Sequence, residues 1–143
     1  LCLIIFKFGW AKPVPINPSY YKHRKKDTVL VSIAGPITNL LIALLVSFII
    51  SRGFIKNETI LNIFVIMVWY NIMLGIFNLI PLPPLDGSTI LASLLPLKYE
   101  TLFYKYEKYL NIILVLLIIT KQIDKILSPV INLCLNLLIK IIY

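Results

Sequence analysis

Between Glu58 and Lys98 the chain carries one formally charged side chain, Asp86, in the run Asn78-Leu79-Ile80-Pro81-Leu82-Pro83-Pro84-Leu85-Asp86-Gly87. At mid-membrane depth a carboxylate costs about 2.5–3.5 kcal/mol on insertion scales, so such a residue is a candidate for function. Pro81, Pro83 and Pro84 lack amide hydrogens and cannot continue a helix. The carbonyls four residues before them must therefore find partners other than the usual amides. Interrupted backbone at that depth has to be buried in protein or line a wet cavity. An ionisable group beside a broken helix is a common way to build an intramembrane site.

Three kinds of chemistry are open to Asp86. Its carboxylate can cap a helix starting near Ser88, although Ser88 offers the same service without a buried charge. It can relay protons or ions, as intramembrane acids do in transporters. It can also ligate a metal, whose charge would neutralise it; zinc binding in structural peptides contributes about 10–16 kcal/mol, large against the insertion cost. Asn78 and Asn39 can each serve a site or an interhelical hydrogen bond. His23, the single histidine, lies in a basic loop and is a poor ligand candidate. Cys2 and Cys134 lie in apolar runs at opposite ends without metal-ligand spacing, and read as small hydrophobes.

The elements that must hold these residues are helices in a membrane. The 143 residues are 59% hydrophobic, with a mean hydropathy of +0.92, above the roughly half apolar content of soluble domains. The apolar residues come in blocks, and a span needs about 20 of them. The expected fold is all-α: one polytopic helical bundle over residues 1–143, with spans near 29–50, 59–80, 102–120 and 126–142 and a proline-broken helix at the site. The stretch 88–95 is too short to cross. Residues 1–6 open directly in an apolar run, which reads as the end of a helix begun further upstream. Gly35-Pro36 is expected to kink the first of these spans. Ser32, Gly35, Asn39, Ala43 and Ser47 fall on one side of it, and Asn71, Gly75 and Asn78 on one side of the next. Small, weakly polar stripes of this kind let helices approach closely.

The net charge of +8 comes from residues that flank apolar blocks. It fits orientation signals and contact with anionic lipid, not nucleic acid. Lys7, Lys12, Lys22, Arg24, Lys25 and Lys26 precede the 29–50 block, whereas the next loop carries Arg52 and Lys56. The positive-inside rule makes the former segment cytoplasmic. Asp86 then lies toward the cytoplasmic leaflet.

Three elements carry a resemblance to a known family. Asn78-x-x-Pro81-x-Pro83-x-x-Asp86-Gly87 matches the N-x-x-P-x-P-x-x-D-G signature of the site-2 proteases, intramembrane zinc metalloproteases. Gly35-Pro36-x-x-Asn39 resembles their G-P-x-x-N helix. Phe8-Gly9-Trp10-Ala11-Lys12-Pro13-Val14-Pro15-Ile16-Asn17-Pro18 is similar to the connector of small bacterial members without a PDZ domain. The resemblance implies an endopeptidase of the bacterial cytoplasmic membrane that cuts transmembrane or membrane-proximal proteins. It makes Asp86 the third zinc ligand. Asn78 would position substrate or stabilise an oxyanion, and Asn39 would lie on the substrate-facing side. The family's H-E-x-x-H helix, which supplies two histidine ligands and the general base, has no counterpart in this sequence. The expectation is a C-terminal portion, inactive alone, whose remaining ligands lie before Leu1. Two alternatives stay open: a non-catalytic scaffold of the same fold, and an ion or proton transporter centred on Asp86.

Overall fold

The computed structural model describes residues 23–142. The expectations for Cys2, the connector at 8–18 and the basic residues up to Lys22 fall outside the described residues. What is described is helical: α1 (Arg24–Ser51), α2 (Glu58–Asn78), α3 (Asp86–Leu94), α4 (Leu97–Lys105), α5 (Glu107–Ile119) and α6 (Gln122–Ile142). Three of these, Arg24–Ser51, Glu58–Asn78 and Gln122–Lys140, are long and apolar enough to cross a membrane.

The helix α1 starts at Arg24, more than a turn before the apolar block expected near 29–50. His23 is its N-cap residue, and the Asp27 carboxylate accepts from the His23 amide at 3.0 Å. Pro36 lies within it, so one backbone donor is missing there. The turn into α2 uses Gly53 at φ 66°, a left-handed backbone that suits glycine, with its amide on the Ile50 carbonyl at 3.0 Å. Asn57 then caps α2 by accepting from the Ile60 amide.

The two helices pack along the small-residue stripes. At Gly75 a side-chain carbon would lie 3.2 Å from both the Pro36 carbonyl and Leu40. Glycine is what lets the backbones come this close. Below this contact the buried core gathers Ala43 and Val46 of α1, Val68 and Ile72 of α2, Leu114 of α5, and Ile123, Leu127 and Ile131 of α6. The α6 residues recur every fourth position, one stripe of a helix. Most other large apolar side chains, among them Leu30, Leu41, Leu45, Ile63, Ile66, Leu133 and Leu137, face outward. In water such a surface would drive association; around a membrane bundle it is the face that lipid covers.

The stretch 102–120 forms two helices. Tyr106, at φ −98° and ψ 6°, ends α4 and precedes α5. With 13 residues, α5 is about 20 Å long against a hydrocarbon core of about 30 Å. Lys121 at φ 55° reverses the chain into α6, so that helix starts at Gln122, before the expected 126.

Candidate functional site

The proline run makes a compact junction between α2 and α3 in which each amide of residues 79–85 finds a local partner. Leu79 and Ile80 donate to Ile76 and Phe77 at 3.1 Å each, tightening the last turn of α2. The Leu82 amide reaches the Ile80 carbonyl at 2.8 Å, and Leu85 reaches Leu82 at 3.1 Å. Ser88 closes the sequence by donating both its amide (3.0 Å) and its hydroxyl (2.7 Å) to the Leu85 carbonyl. Paired donors are part of what a membrane demands of non-helical backbone.

Gly87 brings the start of α3 against the end of α2. A Cβ at this position would overlap the Leu79 carbonyl and lie 2.6 Å from the Ile80 oxygen. Only a residue without a side chain fits so close an approach. The Asp-Gly pair thus has a steric reason: the glycine docks the helix, and its neighbour is carried to a fixed place.

That place is next to α1. Asp86 is the first residue of α3, and Leu85 is the N-cap residue, with no side-chain cap bond. The capping role is therefore not one that Asp86 performs. Its Oδ2 lies 3.2 Å from where a Cβ of Gly35 would stand. Among the described residues its carboxylate takes part in no hydrogen bond or ion pair. It is half-buried at a helix N-terminus, where the backbone dipole favours negative charge.

Asn39 lies one turn beyond Gly35 on α1, and Asn78 is the last residue of α2, three past Gly75. Both are half-buried. Gly35 and Gly75 are the contact points of their helices, so each asparagine sits about one 5.4 Å turn from a close approach. No hydrogen bond joins either to Asp86. His23 is exposed at the start of α1. Among the described residues no three His, Cys, Asp or Glu side chains gather as a metal set. The Asp86 carboxylate, unpaired among the described residues and beside Gly35, suits one ligand of a zinc ion, for which carboxylate oxygen is an accepted donor.

A second polar cluster was not foreseen from the sequence. The Arg24 guanidinium meets Glu100 Oε1 at 2.8 Å, and Lys25 donates to the Leu95 carbonyl at the end of α3. Partners 76 and 70 residues apart leave no signal in a single chain. One hint is available: Glu100 is an acid next to an apolar tract.

A family model for peptidase family M50 matches residues 49–120. Over 140 residues the chain is 33% identical to "Putative zinc metalloprotease YwhC" of Bacillus subtilis, covering 92% of this chain and 64% of that protein. Over 75 residues it is 37% identical to the zinc metalloprotease MJ0392 of Methanocaldococcus jannaschii, covering 52% of this chain and 22% of that one. The chain thus spans less than two thirds of the length of either relative. No solved structure matches it.

Proposed function

This chain belongs to peptidase family M50, and from that premise we propose that it is the part of a membrane-embedded zinc endopeptidase that supplies Asp86 as a metal ligand. The observation that carries this reading is the Asp86 carboxylate, unpaired among the described residues and set against Gly35 by the close docking of Gly87. A half-buried carboxylate with no partner among the described residues is costly; a cation at that place offsets the cost. The other ligands and the general base are expected from an H-E-x-x-H helix, which this sequence does not contain.

Zinc, when bound, would acidify a water and polarise the scissile carbonyl. The chain's own residues do the positioning. The Asn78 amide donates to the carbonyl oxygen of the peptide bond to be cut, holding it and favouring charge that develops there. Asn39, on α1, lies on the side where substrate enters. The interrupted backbone at 79–85 keeps this level of the bundle polar enough for water. Substrates are transmembrane or membrane-proximal proteins, and a helical one must unwind locally, because its carbonyls are otherwise engaged. The site lies toward the cytoplasmic leaflet of a bacterial cytoplasmic membrane, on the strength of the basic residues before and in the first turn of α1.

The test is metal analysis of two proteins: this 143-residue chain, and the native protein that contains it. The native protein should hold one zinc, lost on Asp86→Ala, and cleave a membrane-anchored peptide only when loaded. The chain by itself should hold no tight zinc and cleave nothing. Tight stoichiometric zinc in the isolated chain would overturn the shared-ligand reading. A native protein that binds no zinc and cleaves no substrate would make this a scaffold of the same fold.

A further inference from the structure

Asp86 is held from one end by glycine contacts; the far end of the same helix is held by charge. The helix α3 has nine residues, so from Asp86 to the Leu95 carbonyl it is about 14 Å long. On α1 the corresponding anchor points, Gly35 and Lys25, are ten residues and about 15 Å apart. The matched lengths mean that α3 lies along α1, antiparallel, and is pinned at both ends. At the far end Lys25 takes the Leu95 carbonyl, one of the orphan acceptors of the last turn, where a cation also suits the helix dipole. Just past Pro96, Arg24 takes Oε1 of Glu100.

Glu100 is not an ordinary surface acid. It is 6% exposed, whereas the Arg24 side chain is 59% exposed. Its second oxygen, Oε2, is buried without a partner among the described residues. Beside it is a cavity of about 30 Å³ lined by Arg24, Lys25, Thr28, Ser93, Glu100 and Tyr104, room enough for one bridging water. Simple stability is a weak reason to keep such a group, since replacing a buried ion pair with apolar residues is often neutral or better.

We propose that Arg24, Lys25 and Glu100 form a positioning clamp, which sets the place of Asp86 by fixing the opposite end of α3 against α1. The clamp touches neither substrate nor metal and acts through the helix. Its significance for catalysis rests on the zinc-endopeptidase reading above. With the clamp open, α3 pivots about the Gly35 contact and Asp86 loses its fixed approach to the metal. Misplacement of a reacting group by about 1 Å can cost about 100-fold in rate.

The experiment uses the native protein containing this chain, in lipid nanodiscs, with Glu100→Gln, Arg24→Gln, the charge exchange R24E/E100R, and Glu107→Gln as a nearby exposed control. Amide hydrogen exchange over residues 86–94 reads the clamp without metal or substrate. Zinc affinity and steady-state kinetics read its consequence. E100Q and R24Q should speed exchange in α3 at least tenfold, weaken zinc about tenfold and lower kcat about tenfold with KM within twofold, on the scale of supporting-residue effects. The exchanged pair should recover a part of each, and E107Q should match the wild type. Unchanged exchange in E100Q, a nearly isosteric variant, would overturn the clamp. So would faster exchange with unchanged zinc affinity and kcat in a protein that is a working zinc peptidase. If the wild type shows no zinc-dependent cleavage, the enzymatic reading fails, and the clamp stands or falls on exchange alone.

Discussion

Oδ2 of Asp86 lies 3.2 Å from the point where a Cβ on Gly35 would be, so the carboxylate and the α1 backbone are separated by only a missing methyl group. Gly35→Ala divides stability from metal binding. The position is helical, and alanine there gains up to about 1 kcal/mol of helix propensity. The neighbour that must yield is the tip of a side chain, which moves a few tenths of an ångström at little cost to the fold. The moved atom is the proposed ligand. Thermal unfolding in detergent should show the variant as stable as the parent or more so. Zinc titration of the native protein should show affinity lower by about 10–100-fold, the range for groups that orient a ligand. Wild-type affinity would mean that Gly35 does not set the place of the carboxylate.

Gly87→Ala should behave in the opposite way. The added carbon overlaps the Leu79 carbonyl, and backbone cannot swing aside as a carboxylate can. The start of α3 must lift from the end of α2, at about 2–4 kcal/mol, in the range of strongly destabilising single changes. Lower yield and a reduced unfolding midpoint should accompany loss of zinc. Loss of zinc alone, at unchanged stability, would place the role of Gly87 in chemistry and not in docking.

The ease with which sequence revealed this molecule varied with the range of the interactions. Apolar blocks and prolines are local, and they placed α1 and α2 within a few residues and marked α3 as too short to cross. The stripe through Gly75 foretold a close helix pair, because a side chain there has no room against the Pro36 carbonyl. The break at Tyr106 has no glycine or proline to announce it, so 102–120 read as one span. Lys121 adopts a left-handed conformation that lysine seldom takes, which hid the earlier start of α6. The meeting of Gly35 with Asp86 and the Arg24–Glu100 pair arise only when α3 folds back along α1. Nothing in either segment alone encodes them.

Asn78 should separate binding from rate. If its amide holds the carbonyl oxygen of the scissile bond, the interaction strengthens as charge develops, and its loss falls on kcat. Asn78→Ala should lower kcat by about 100-fold, the usual cost of one such donor, with KM nearly unchanged. Among the described residues the Asn78 side chain makes no hydrogen bond, so the unfolding midpoint should stay within a few degrees. Kinetics on a membrane-anchored peptide in nanodiscs check this. A variant that loses stability and keeps its rate would return Asn78 to a purely interhelical role.

Asp86→Asn provides the sharpest sign test, because fold and function should move apart. In the absence of metal the carboxylate is half-buried and unpaired among the described residues. Removing an uncompensated charge at constant size relieves desolvation, so the metal-free variant should be as stable as the parent or gain about 1–2 kcal/mol. The amide is a poor zinc ligand beside a carboxylate, and the native protein should lose its tight zinc and its peptidase activity together. Adding zinc should therefore raise the unfolding midpoint of the parent by mass action and leave that of Asp86→Asn where it was. A metal-free variant less stable than the parent would mean that the fold itself depends on the charge, and the transporter or structural readings of Asp86 would then regain ground over the metal ligand.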